Sequence, residues 1–214
     1  MGSGFAMANV EYGEPKGRAL LLVVSAPSGA GKTTLCERLL AEISGMERSV
    51  SCTTRAPRGA EVDGRSYHFI RVEEFKRRVA AGEFLEHAVV HGNFYGTLRK
   101  PVEAALAAGR SVMMVIDVQG AAQVRQAAQA AGGLLKRAYV DVFVAPPSPE
   151  VLRERLVRRN EDAAEVIERR VRNAEVEMGR QGEYRHQVVN DDLETAYREF
   201  KAIIERERGG GAVC

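Results

Sequence analysis

The sequence predicts an α/β fold of three layers, a central parallel sheet between helices, with an inserted subdomain and a helical lid. Three observations carry this reading. Short continuous apolar runs recur at residues 19–24 (ALLLVV), 111–116 (SVMMVI) and 138–144 (AYVDVFV), the pattern of strands buried on both faces. Helical spacing fills the stretches between them. Two segments, 52–98 and 149–174, break the alternation, one by turn chemistry and one by charge.

Taken in order, residues 1–17 hold Gly, Pro and charge without an apolar core, and read as a flexible lead-in without a signal peptide. The run at 19–24 is the first core strand. A helix follows from Lys32 to Ile43, because Leu35, Leu39 and Ile43 repeat at helical spacing. The inserted segment 52–98 has turn signals at Ala56-Pro57-Arg58-Gly59 and Val62-Asp63-Gly64-Arg65 around a strand expected over Tyr67–Arg71. The second core strand ends at Asp117, and the third ends before Pro146-Pro147. Residues 149–174 form a charge-laced helix pair with few large apolar anchors, which suits a mobile lid. Leu193, Ala196, Tyr197, Phe200, Ile203 and Ile204 share one stripe of a docked amphipathic helix. The folded unit is therefore expected over 18–207, its core from 18–51, 99–148 and 175–207, with a flexible tail at 208–214.

A chain of 214 residues is long enough for a substantial core. Its net charge of +2 shows no clustered basic excess, so no nucleic-acid partner is expected. No apolar run approaches the ~18–20 residues of a membrane span, so no membrane partner is expected either. Cys36, Cys52 and Cys214 lie far apart without CxxC spacing, which reads as reduced thiols in a cytoplasmic protein. Cys36 is expected to face the core. His68, His87, His91 and His186 are too scattered for a metal site. Oligomeric state is not legible.

The chemistry starts at residues 25–34, SAPSGAGKTT. The phosphate-loop pattern G-x-x-x-x-G-K-[ST] is met by Ala26-Pro27-Ser28-Gly29-Ala30-Gly31-Lys32-Thr33 at every place but the first, where Ala26 replaces glycine. Backbone N–H groups of such a loop point at phosphate oxygens, reinforced by a helix N-terminus. Gly29 and Gly31 permit the required backbone angles. Lys32 reaches the β- and γ-phosphates, the Thr33 hydroxyl meets Mg²⁺, and Thr34 can bond an α-phosphate oxygen. The loop names a nucleotide, not a reaction. The base-reading Asn-Lys-x-Asp of GTPases is missing from the sequence.

A second phosphate site follows. Arg55 and Arg58 flank a stiffening proline, and two guanidinium groups held this way suit a dianionic phosphate. Tyr67 and Tyr95 can add phenolic donors. Glu86 can accept from the N–H groups of a base edge.

These residues resemble the guanylate kinase family of P-loop nucleoside monophosphate kinases. The matching stretches are SAPSGAGKTT, SVSCTTRAPRGAEVDGRSYHF, EFLEHAVVHGNFYGT, IDVQG, FVAPPS, LRERLVRR and VVNDDL, in family order across about residues 20–204. The resemblance implies a three-layer P-loop fold in which 52–98 binds GMP and 149–174 is the lid. It implies Mg²⁺-dependent transfer of the ATP γ-phosphoryl group to GMP. Arg55, Arg58, Tyr67 and Tyr95 would bind the GMP phosphate, with Glu61 also on the GMP side. Ser51, Glu86 and Thr97 would contact guanine. Asp117 would lie by the metal, through water, and by the acceptor. Arg155, Arg159 and Arg170 would act catalytically from the lid, with Lys32 and Arg55, and Asn190 would contact the adenine side.

The sequence departs from the family's common residues at Ala26, Thr97, Val115, Arg158 and Asn160, and residues 127–137 make a long connection. Two other readings fit parts of this pattern: a non-catalytic scaffolding module, and a small kinase with another phosphorylated acceptor such as a ribose bisphosphate.

Overall fold

The computed structural model describes residues 17–90, 92–158 and 164–209. Strand β1 (Leu21–Ser25) is wholly buried. Along it Leu22 and Val24 enter one apolar cluster while Leu21 and Val23 enter another. Side chains alternate across a strand, so a strand covered on both faces must be apolar at every position. On one face pack α1 (Lys32–Glu42) and α8 (Leu193–Arg208), through Leu35, Leu39, Phe200 and Ile204. On the other pack α3 (Arg99–Ala107), α4 (Val118–Ala131) and α5 (Gly133–Ala138), through Leu106, Val124 and Leu135. These are the three expected layers.

The central sheet has the order β2-β7-β1-β8-β9 and every neighbouring pair in it is parallel. Its other members are β2 (Met46–Arg48), β7 (Ser111–Val115), β8 (Tyr139–Ala145) and β9 (His186–Val189). The short edge strands β2 and β9 have no long apolar run, so periodicity does not reveal them. The long connection at 127–137 is the end of α4 and α5, and Leu135 and Ala138 bury it against the core.

The inserted segment folds a separate four-stranded sheet, ordered β4-β3-β6-β5. It comprises β3 (Cys52–Thr53), β4 (His68–Phe69), β5 (Phe84–Val90) and β6 (Asn93–Leu98), with α2 (Val72–Ala80) against it. The strand expected over Tyr67–Arg71 spans only His68–Phe69, because Arg71 already caps α2. Phe75 stacks on Phe84 with ring centroids 4.5 Å apart, giving this sheet its own small core.

The charged segment is a helix pair, α6 (Pro149–Arg158) and α7 (Ala164–Met178). Leu152, Leu156, Ile167 and Ala174 make its narrow apolar seam, and Arg153 pairs with Glu168 across it. Helix α8 runs through Arg208, four residues beyond Ile204 at the end of the expected stripe, and the Arg208 carbonyl accepts the Arg18 N–H at 2.8 Å. Cys36 faces the core as expected.

Candidate active site

Two loops leave the carboxyl ends of neighbouring strands and meet, as ligand sites in open parallel sheets do. The first, after β1, runs through Ala26, Pro27, Ser28, Gly29 and Ala30 to the start of α1. Ala26 is buried in the core, which explains why a small residue serves there. The left-handed angles fall on Gly29 (φ 94°) and Gly31 (φ 86°), where glycine alone is unstrained. A Cβ on Gly31 would lie 2.2 Å from Asn190 Nδ2. Asn190 itself is buried and donates to the Ala30 carbonyl at 2.7 Å, so it braces the loop from β9's end. Gly31 caps α1 without any side-chain hydrogen bond, and no acid occupies the first turn. The opening N–H groups of α1 are thus left for an anion. Thr33 and Thr34 are exposed on that turn.

The second loop, after β7, ends in Asp117, the N-cap of α4. Its Oδ1 accepts from Gln119 N–H at 3.0 Å and Gly120 N–H at 2.8 Å, which fixes the carboxylate beside the first loop. Lys32 Nζ reaches across to the Ile116 carbonyl at 3.4 Å. Burial lowers the Lys32 pKa, and Cys36, Glu177 and Asp117 oppose that shift. Glu177 on α7 is a residue the sequence reading missed. Its carboxyl is half-buried and its pKa is raised by burial, with Lys32 lowering it and Asp117 raising it further. It comes 145 positions after Lys32 in the chain, and a single acid in a charged helix carries no local signal.

The expected GMP-side residues converge on one face of the second sheet. Thr97 donates to Glu86 Oε1 at 2.7 Å. Ser51 Oγ lies 3.0 Å from Thr97 Oγ1. Because the Thr97 hydrogen serves the Glu86 carboxylate, Ser51 is the donor in that second bond. Glu86 is buried, and burial pushes its pKa to about 6, against the Thr97 hydrogen bond and with the Asp117 charge adding to the rise.

Two glycines make this placement possible, and the sequence reading gave neither a role. A register shift between Phe84 and Glu86 marks a bulge in β5, and a Cβ on Gly96 would lie 2.9 Å from the Glu86 carbonyl. A Cβ on Gly120 would lie 3.3 Å from Glu86 Oε2.

Beyond Thr97 the same face carries Arg55, which donates to Tyr95 Oη at 3.1 Å and grips both Glu61 oxygens at 2.6 Å. Tyr67 stands edge-on to Tyr95 at 6.0 Å and under the Arg55 guanidinium at 5.0 Å. Glu61 also accepts the Arg58 backbone N–H at 2.8 Å, and the Arg55 hydrogen bonds hold its pKa down at about 2. Glu61 therefore reaches the site through Arg55. The Arg58 side chain is exposed; among the described residues it makes no side-chain hydrogen bond, and its charge helps to lower the Glu61 pKa.

Helix α6 of the charged pair covers the first loop. A Cβ on Gly29 would lie 2.9 Å from Leu152 Cδ1, so α6 packs directly on the loop. Arg155 Nη2 donates to the Asp191 carbonyl at 3.2 Å. A cavity of about 320 Å³ opens there, lined by Gly31, Thr34, Arg155, Asn190 and also Arg158. Arg158, noted from sequence only as a departure, thus lines the cavity beside the first loop. Arg170 is half-buried on α7, and Arg159 lies outside the described residues.

The family model for guanylate kinase matches residues 18–207. A guanylate kinase of Symbiobacterium thermophilum is 49% identical over 196 residues, 91% of this chain and 88% of the relative. One of Agrobacterium fabrum is 44% identical over 191 residues, 89% of this chain and 84% of the relative. The crystal structure of guanylate kinase from Anaplasma phagocytophilum superposes with a TM-score of 0.68 at 35% identity, covering 90% of this chain and 88% of that one. A phosphate loop and a braced acid–hydroxyl face meeting at one sheet edge agree with these matches, and the chain belongs to the guanylate kinase family.

Proposed function

We propose that this chain transfers the γ-phosphoryl group of ATP to GMP, giving ADP and GDP. One observation carries the reading of the acceptor: the buried carboxylate of Glu86, steadied by Thr97 and Ser51, lies beside Asp117 at the carboxyl edge of the sheet that bears the phosphate loop. Guanine offers two adjacent donors, N1–H and the 2-amino group, and an anionic carboxylate accepts both. Adenine offers one donor beside an acceptor and leaves half the carboxylate unpaired.

The loop amides from Gly29 to Thr34 and the Lys32 ammonium hold the β- and γ-phosphates. Arg58 and Arg55, with the phenols of Tyr67 and Tyr95, hold the GMP phosphate. A GMP phosphate oxygen attacks the γ-phosphorus as its bond to the ADP oxygen breaks. The nucleophile is already an oxyanion, so no general base is required. Charge spreads over the γ-oxygens in the transition state, and catalysis is alignment plus cationic stabilisation. Lys32, Arg55 and the lid residues Arg155, Arg159 and Arg170 supply that charge, and closure of α6 and α7 excludes water. Asn190 holds the donor loop in shape while flanking the adenine side.

The donor set fits magnesium: one hydroxyl from Thr33 and, through water, the Oδ2 of Asp117, which no hydrogen bond uses among the described residues. No cluster of three or more His, Cys, Asp or Glu competes as a protein cage among those residues, and Mg²⁺ at phosphates commonly takes only one or two protein ligands. When bound it would neutralise β- and γ-phosphate charge.

In this reading residues 18–207 divide into a core (18–51, 99–148, 175–207), a GMP-binding subdomain (52–98) and a lid (149–174). Among the described residues no helix is long and apolar enough to cross a membrane. We place the protein in the cytoplasm, with ATP and GMP as its partners and neither nucleic acid nor membrane. An ADP-coupled assay over GMP, dGMP, AMP, UMP and CMP tests the proposal. GMP is expected to dominate the other ribonucleotides; AMP turned over equally well, or no ADP formed with GMP, overturns it.

A further inference from the structure

Helix α4 touches the acceptor site at three places spaced by three residues: Asp117 at its cap, Gly120, and Gln123. That spacing puts them along one helix face. Gln123 Oε1 accepts the His87 backbone N–H at 3.0 Å, and Gln123 Nε2 donates to the His87 carbonyl at 3.0 Å. β5 is an edge strand, and the outward peptide groups of an edge have no ladder partner. The planar amide of Gln123 substitutes for a neighbouring strand at one residue, the residue immediately after Glu86.

We infer that Gln123 is a positioning residue for base specificity, clamping β5 to α4 so that the Glu86 carboxylate is held in register with Asp117. The inference rests on the reading of Glu86 as the guanine acceptor. Three constraints then converge on Glu86. The bulge in β5 sets its backbone, Thr97 holds Oε1, and Gln123 pins the next peptide while Gly120 leaves room for Oε2. Without the clamp, the strand edge is free to drift from the helix. A drift of about 1 Å at a specificity group is enough to lose much of its effect.

The experiment compares GMP with inosine monophosphate, which lacks the 2-amino group, in wild type, Gln123→Ala, Glu86→Gln and the double variant. Gln123→Ala is expected to lower kcat/KM for GMP about tenfold, through KM for GMP, with KM for ATP unchanged. The preference for GMP over inosine monophosphate should fall about fivefold. The double variant should be no worse than Glu86→Gln alone, since Gln123 acts through Glu86. A merely structural role predicts otherwise: equal losses with both acceptors and losses that multiply in the double variant. That result, or an unchanged preference, overturns the inference. If Glu86→Gln itself leaves the preference unchanged, the guanine reading fails rather than the clamp. Should Gln123→Ala not fold, Gln123→Met keeps length and volume without the two hydrogen bonds and is read by the same ratios.

Discussion

The two halves of the site, which we read as donor and acceptor, are built from different materials. The donor half is backbone: a loop whose shape depends on two left-handed glycines, an uncapped helix start, and a lysine resting on a carbonyl. The acceptor half is side chains already bonded to each other, Ser51 to Thr97 to Glu86, and Tyr95 to Arg55 to Glu61. A phosphate is much the same in any nucleotide, so peptide N–H groups suffice to hold it. A base edge differs from its competitors by one or two hydrogens, so its reader must be oriented before the base arrives. The lid shows the same contrast in packing. Its seam among the described residues is four buried side chains, against a core of many, which suits the proposed role of an element that opens and closes.

The comparison breaks most visibly at Lys32. Lys32→Ala should lower kcat on the order of 10³-fold with either GMP or dGMP as acceptor, because it removes a charge from the transition state. Steady-state kinetics beside a thermal melt checks that the fold persists.

Glu86→Gln tests the acceptor half. It should cut kcat/KM for GMP about 100-fold, with KM for ATP within about twofold, since one acceptor becomes a donor facing a donor. An equal effect on both KM values would mean that the two halves are not separable.

The pH dependence should separate them again. Glu86 carries a pKa of about 6, raised chiefly by burial. Only its ionised form accepts both guanine hydrogens, so GMP binding is complete above that value and lost below it. KM for GMP should rise about tenfold per unit as pH falls below about 6, as expected for a single required carboxylate. Glu86→Gln should remove the Glu86 share of that dependence and leave only the shallower one from the GMP phosphate, which itself titrates at about pH 6.

The smallest effect is expected at Glu61. Glu61→Gln leaves Arg55 in place but loosens its orientation, and KM for GMP should rise about fivefold, with little salt dependence because the pair is part-buried.

Much of this was legible in residue order. The phosphate loop needs only consecutive residues, so Gly29, Gly31 and Lys32 declare themselves. The apolar run before them must be a strand buried on both faces, and Leu35, Leu39 and Ile43 must face that strand. Arg55 and Glu86 were legible through a longer pattern. Gly96, Gly120, Gln123 and Glu177 were not, because each matters through a neighbour distant in sequence. Tyr67–Arg71 misled for a different reason: the flanking turn signals predict a strand, but the start of α2 at Val72 truncates it.

The sequence by itself determined the layers and the nucleotide loop, because local backbone rules and hydrophobic period act over a few residues, and it named the residue types of the proposed acceptor face through the family pattern. Only the tertiary structure decided how those types are held. Asn190 against the loop, Glu61 against Arg55, and Gln123 against the strand of Glu86 are hydrogen bonds that form when chain segments meet. Glu86 acquires its raised pKa only in the fold, since burial beside Asp117 exists nowhere in the unfolded chain.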